Sequence, residues 1–408
     1  MALSILFATP WCLLDTTNGA AIRMRALLQQ LSLNGHRCEV VSAPMGTWAL
    51  GPSLKELLAR HSLPLGPARA GWMKVADAGL VHHLSTRAPR MADAADVQAV
   101  TRSQADFVRH VDAYLKSEQP DVVFTWAGGG LEELVGAAAH LRGIPFVHNL
   151  VTTTQMPRPE FVHAADGIFV LSRFLADIVE QRWGRRPFII RPVVNPERCV
   201  AQRHAPKFVT LMNPVPEKGF TLLLRLAEQA LVKLPTARFL CVEGRWTRAM
   251  AEKNYGFDAA AFPNLSWMEN RVHVREIFAK TRVLLFPSFW QEVYGMGVAE
   301  AHLNGVPTLV SRRGGIPEAG AGVSRLLPVP PRCMLNHALV PTAREVRPWL
   351  DALAPLVTSD THWRRASRRA LGAGNPCSAA LGAQRVEEAL GEMLDGIAAR
   401  KRRRRGAA

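Results

Sequence analysis

Apolar and polar positions along this chain follow two rhythms. Short unbroken apolar runs such as LSILFA, DVVFTW, GIFVLS and RVLLF suit strands buried on both faces of a parallel sheet. Between them lie stretches with apolar residues three and four apart. In AAIRMRALLQQLSLNG, Ile22, Met24, Leu27, Leu28 and Leu31 share one helical face, and Gly35 stops the helix. CEVVSA gives a second strand, IPFVHNLV a later one, RFLADIVEQRWG a helix, and PFIIRPVV closes the first half. Asn195 to Lys207 is polar and basic with two prolines, as an interdomain linker would be. The alternation then restarts with FVTLMNP, the loop Lys218-Gly219, the helix FTLLLRLAEQALVK and the strand RFLCVEG. The expected organisation is an N-terminal domain over 1–194, a linker over 195–207, a C-terminal domain over 208–377, a helix over 378–400 packing back on the N-terminal domain, and a basic disordered tail over 401–408.

The stretch from Phe286 to Ala319, FPSFWQEVYGMGVAEAHLNGVPTLVSRRGGIPEA, carries most of the candidate chemistry. It predicts strand, loop, helix, strand, loop, helix. In such units ligands sit beyond the carboxyl ends of the strands, against helix N-termini. Glu292 falls in the first loop and Glu300 in the helix after it. Amides around Gly295, Met296 and Gly297, at a helix start, suit an anion such as a diphosphate. Carboxylates cannot serve that anion, but they accept hydrogen bonds from hydroxyls. A polyhydroxylated ligand with phosphate in its middle, a nucleotide sugar, fits both. Taken singly, Glu300 would be an ordinary helix residue and Glu292 an acid favoured by the helix dipole.

Length and composition narrow the picture further. The 408 residues leave room for two or three domains, and 48% hydrophobic with 21% charged residues is a globular balance. Six cysteines are scattered without a CxxC pair or zinc-like spacing, which suits a reduced cytoplasm. The apolar opening lacks a basic leader segment and is expected as a first strand, and no apolar stretch reaches membrane-spanning length. The formal net charge of +16 includes the run Lys401 to Arg405, and leaves anionic lipid, anionic substrate and nucleic acid open as partners. Aromatic residues are not interleaved with basic ones as base-stacking platforms would need, so no nucleic acid is expected.

PSFWQEVYGMGVAEAHLNGVPTLVSRRGGIPE matches an E-x7-E motif followed by a GG-x-x-E loop, NGAAIRMRALLQQLSLNGH is similar to a glycine loop and first helix, and NPVPEKGF to a phosphate-contacting lysine loop. In these the chain resembles the retaining glycosyltransferases of family 4. The resemblance implies an α/β protein of GT-B architecture, two facing Rossmann-like domains with an interdomain cleft, the N-terminal one binding the acceptor and the C-terminal one the nucleotide sugar. It implies Glu292 at the donor sugar, Glu300 on the ribose hydroxyls, and Lys218 on the diphosphate with the Gly295, Met296 and Gly297 amides. Gly19 would let its loop approach the same phosphates. Two departures stand out. The family commonly has an arginine five positions before the lysine, where this chain has Asn213; Arg245 is either its substitute or a surface arginine. The family also often has a histidine after the strand equivalent to IPFVHNLV, whereas His148 lies inside it and is read as a core residue; Val151 and Thr152 stand after it. His36 is read as a helix-end packing residue. Gly128 to Gly130 make either a second anion cradle or a permissive turn.

The expected reaction moves a sugar from a nucleotide-diphosphate sugar to an unknown acceptor, a lipid-linked glycan, small molecule or peptide, with retention of configuration. No D-x-D pair is present, so the site is expected to need no metal, and no cofactor is expected beyond the donor as substrate. Alternatives are a phosphorylase or epimerase on the same scaffold, or a nucleic-acid-binding protein. A cytoplasmic location is expected, with peripheral contact at an anionic inner membrane face as an open alternative.

Overall fold

The computed structural model describes residues 2–45, 53–87, 97–126, 130–154 and 156–406, and side chains throughout these except 43–45, 97–102 and 400–406. The chain divides into two units, Met1–Val193 with Cys377–Ala408, and Val194–Pro376.

The first unit is built on β1 (Ser4–Trp11), β2 (Arg37–Met45), β3 (Ala68–Arg69), β4 (Trp72–Asp77), β5 (Leu80–Ser85), β6 (Val122–Trp126), β7 (Phe146–Asn149), β8 (Gly167–Val170) and β9 (Phe188–Ile189). They form one sheet in the order β3-β4-β5-β2-β1-β6-β7-β8-β9. Every pairing from β5 to β9 is parallel, and β4 is antiparallel to both its neighbours. The apolar runs β1, β6, β7 and β8 are buried, as strands covered on both faces should be. The Gly19–Leu33 helix packs Met24, Leu27, Leu28 and Leu31 against Phe7, Val40 and Phe124, joined by Ala383, Val386 and Leu390 of the last helix. The hairpin β4–β5 passed unnoticed in the sequence, although WMKVAD alternates and Ala78-Gly79 marks its turn. Asp77 at that turn ties the hairpin to the first helix, accepting from Arg25 at 2.6 and 2.8 Å and from Gln29 at 3.2 Å.

The basic run from Lys401, expected to be disordered, is instead helical through Gly406, as part of the Ala379–Gly406 helix. Lysine and arginine are good helix formers, and cations at a helix carboxyl end complement its dipole.

The second unit holds β10 (Phe208–Met212), β11 (Phe239–Val242), β12 (Leu265–Met268), β13 (Thr281–Phe286), β14 (Thr308–Ser311) and β15 (Arg325–Leu327). They pair in parallel in the order β12-β11-β10-β13-β14-β15. Counted from its first strand this is the 3-2-1-4-5-6 winding, whose direction reverses between β10 and β13. That reversal decides where a ligand goes, because the connections on either side of it run to opposite faces of the sheet and leave a crevice at the strands' carboxyl ends. Phe220, Leu223 and Leu226 of the Phe220–Lys233 helix fill the core with Val209, Phe239, Val283 and Trp349. The edge strand β12 lies within 264–271. Residues 195–207, expected as a linker, begin with the helix Pro196–Cys199, and Cys199 and Ala201 are buried within this unit. Asn304 fixes them: its Nδ2 donates to the Cys199 carbonyl at 2.9 Å, and its Oδ1 accepts from the Ala201 amide at 2.8 Å.

Candidate active site

The loops after β10 and β13 meet. After β10, a tight turn over Pro216–Lys218 ends at Gly219, whose φ of 77° is left-handed. A Cβ there would lie 2.2 Å from the Pro287 carbonyl oxygen, so only glycine lets the lysine loop rest on the start of the β13 loop. The Glu217 carbonyl completes the junction, accepting from the Phe289 amide at 2.9 Å. The consequence is an ion pair between the Lys218 ammonium and the Glu292 carboxylate. Ser288 Oγ lies 2.9 Å from the same Glu292 oxygen, and the ammonium stands 5.1 Å from the centre of the Trp290 ring. Burial pushes the Glu292 carboxyl up, but the Lys218 charge and hydrogen bond outweigh it, with Ser288 adding to them, and hold it below the ordinary carboxylate range.

The backbone of Glu292 is fixed from behind. The Gly315 amide donates to its carbonyl at 2.7 Å. Gly314 has φ of 56°, and a Cβ on it would lie 2.2 Å from that same carbonyl oxygen. The glycine pair, read from the sequence only as a tight loop, is therefore the seat of Glu292.

Glu300 sits in the helix Met296–Leu303, which Gly295 precedes and no side chain caps, so the Met296 and Gly297 amides head that helix without a competing cap. The Glu300 carboxyl is buried. Burial pushes it up to about 7, with the Arg198 charge pulling the other way. Arg245, beyond β11, donates through Nη2 to Glu217 Oε1 at 2.7 Å, and its backbone amide donates to Asn213 Oδ1 at 3.0 Å. Asn213 therefore holds the arginine that follows the neighbouring strand, and both candidate cations of this unit, Lys218 and Arg245, are tied to the 216–218 turn or to its partner Glu292. Glu217 and Ser288 were not singled out from sequence. Glu217 acts largely through its main chain, which no motif records.

Gly19, in the first unit, opens the Gly19–Leu33 helix behind Asn18, whose Oδ1 accepts from the Ala20 amide at 2.9 Å. His148 is buried against Phe161, ring centres 4.9 Å apart, and burial lowers it to about 3, so it stays neutral. His36 accepts from the Leu3 amide at 3.1 Å and meets Glu387 at 3.2 Å. Of the three glycines after β6, Gly128 and Gly129 lie outside the described residues, and Gly130 starts a helix.

Residues 206–339, which contain this whole constellation apart from Gly19, match the family described as "Glycosyl transferases group 1". Among curated proteins the sequence has no match. Solved structures similar to the chain include sucrose-phosphate synthase from Thermosynechococcus elongatus, 14% identical with a TM-score of 0.65 over 95% of this chain and 99% of that one. Anabaena Alr3699/HepE in complex with UDP-glucose is 14% identical with a TM-score of 0.66 over 96% and 100%. The catalytic domain of Arabidopsis thaliana starch synthase IV, bound to ADP and acarbose, is 11% identical with a TM-score of 0.67 over 97% and 100%. The fold is that of the GT-B glycosyltransferases, with two Rossmann-like units. No helix among the described residues is long and apolar enough to cross a membrane.

Proposed function

We propose that the protein transfers a sugar from a nucleoside-diphosphate sugar to a hydroxylated acceptor, with retention of anomeric configuration and without a metal ion. The observation that carries this reading is the half-buried Lys218–Glu292 pair at the reversal of the second sheet, beside the uncapped start of the helix that carries Glu300. Structural neighbours in which UDP-glucose or ADP is bound support a nucleotide donor.

When the bond between the anomeric carbon and the diphosphate breaks, negative charge grows on the leaving oxygen and positive charge on the ring. Lys218 has three donor positions and gives one to Glu292, which leaves two for phosphate oxygens. The Met296 and Gly297 amides and Arg245 add to that stabilisation. Glu292, held ionised by Lys218, lies where negative charge favours the developing cation. Glu300 accepts the ribose hydroxyls. The acceptor oxygen bonds to the anomeric carbon on the face the diphosphate leaves, and its proton passes to a leaving phosphate oxygen. Glu292 and Glu300 lie on one side of that ligand, unlike the flanking carboxylates of glycosidases. The helical run of cations at the chain's end is read as a contact for an anionic membrane face.

Donor selection is tested by thermal shift with UDP, GDP, ADP and dTDP sugars, since a ligand of the folded state raises its stability. The preferred donor is then incubated with and without candidate acceptors and with inorganic phosphate. Acceptor-dependent release of nucleoside diphosphate supports transfer; phosphate-dependent release of sugar phosphate, or sugar interconversion with donor alone, would replace it with a phosphorylase or an epimerase.

A further inference from the structure

The first unit carries unmet hydrogen-bonding capacity that the donor site does not use. Arg23, in the second turn of the Gly19–Leu33 helix, is 2% exposed. Its Nε and Nη2 have no hydrogen-bond partner among the described residues, and burial alone lowers its guanidinium to about 10, with no carboxylate opposing the shift. Arg25, two residues on, is by contrast held by both oxygens of Asp77. A buried guanidinium without a counter-ion is costly, and its persistence calls for a partner.

Two further groups share its side of the sheet. Val40 and Val147 belong to the same buried cluster as Met24 and Leu27 of the Arg23 helix, and side chains two residues further along a strand lie on the same face. That places Ser42 of β2 and Asn149 of β7 on this face, toward the carboxyl ends of the strands. Ser42 Oγ and Asn149 Oδ1 are buried and have no partner among the described residues, although Asn149 Nδ2 is anchored on the Thr125 carbonyl at 3.0 Å. Helical side chains lean toward the helix N-terminus, which here follows β1, so Arg23 leans toward the same end. Ligands of wound parallel sheets enter at that end.

We propose that this end of the first sheet binds an oxyanion carried by a hydroxylated molecule, a sugar phosphate or a sugar acid, with Arg23 as its counter-ion. The Nε and Nη2 edge of a guanidinium takes two oxygens of one phosphate or carboxylate side by side. Asn149 Oδ1 accepts from a sugar hydroxyl, and Ser42 either donates or accepts. Naming this molecule the acceptor rests on the proposed transferase function; the oxyanion site itself does not.

Calorimetric titration of the full chain with glucose 6-phosphate, glucuronate, inorganic phosphate and glucose tests the site. At least one anionic sugar is expected to bind roughly tenfold or more tightly than glucose and than inorganic phosphate, and whichever wins names the oxyanion. Arg23→Met should abolish that preference, while Arg23→Lys, which keeps the charge but not the fork, should retain part of it. Arg23→Met should melt no lower than the wild type, because an apolar chain replaces an uncompensated charge. No preference for an anion in the wild type, equal binding by inorganic phosphate, a preference that survives in Arg23→Met, or a large fall in its melting temperature would each overturn the proposal. Nucleoside diphosphate binding is measured in parallel and should be the same in all variants. Its absence from the wild type would remove the transferase reading and leave the oxyanion site standing.

Discussion

Glu300 offers a test of the site that needs no substrate. Its carboxyl is raised from an ordinary 4.5 to about 7 by burial, so between those values the folded protein keeps a proton that the unfolded chain has released. Stability must therefore fall as pH rises through that window, and the full cost is present above it. The raised pKa corresponds to about 3 kcal/mol in all, of which about 2 kcal/mol develops between pH 5.5 and 8.5. Glu300→Gln removes the titration and adds only a pH-independent offset. Melting temperatures of wild type and variant, followed by circular dichroism across this range, should diverge in favour of the variant by roughly 4–8 °C for a unit of this size. A ligand whose ribose hydroxyls donate to the ionised carboxylate should in turn protect the wild type more at pH 8.5 than at pH 5.5, and the variant equally at both. Parallel wild-type and variant curves would show that Glu300 titrates normally and would refute the buried carboxyl with a raised pKa on which its role depends.

Lys218→Ala should lower kcat/KM by an amount worth roughly 2–4 kcal/mol in a protein that still folds, because a charge-assisted contact to the leaving phosphate is lost. The same change should move the Glu292 carboxyl upward, visible as a shifted acid limb of the pH–rate profile, since Lys218 is what holds it down. Gly314→Ala should reduce kcat sharply: a left-handed alanine costs about 1–2 kcal/mol, and its methyl group displaces the Glu292 backbone; unaltered kinetics would show that the loop bears no load. Turnover should survive excess EDTA, and complete loss restored by a divalent ion would make the site metal-dependent.

The alternation of apolar runs and helical faces made both parallel sheets legible, because strands covered on two faces and helices covered on one leave unmistakable periods. Lys218, Glu292 and Glu300 could be picked out as candidates because glycines mark the loops after β10 and β13 and the helix start at Gly295. The partnership of Lys218 with Glu292 was not, since it depends on Gly219 resting on Pro287, a contact between residues far apart in sequence. Glu217 and Gly314 act through or against main chain, which residue identity does not reveal. The β4–β5 hairpin was missed because its strands are half-polar and so lack the unbroken apolar run of the other strands. The final helix outran its expected end because the arginine run, read as a solvated tail, contains no residue that stops a helix before Gly406.

Steady-state kinetics of Glu292→Gln with varied donor tests the central claim most directly, using the nucleotide sugar that stabilises the wild type best. The amide keeps the shape and a hydrogen-bonding oxygen but removes the charge that should favour the cationic sugar ring. The account predicts a fold like the wild type by circular dichroism, nearly unchanged donor KM, and kcat lowered about a hundredfold or more, the mark of an interaction made in the transition state. A kcat equal to the wild type's, or a loss confined to donor KM, would contradict it.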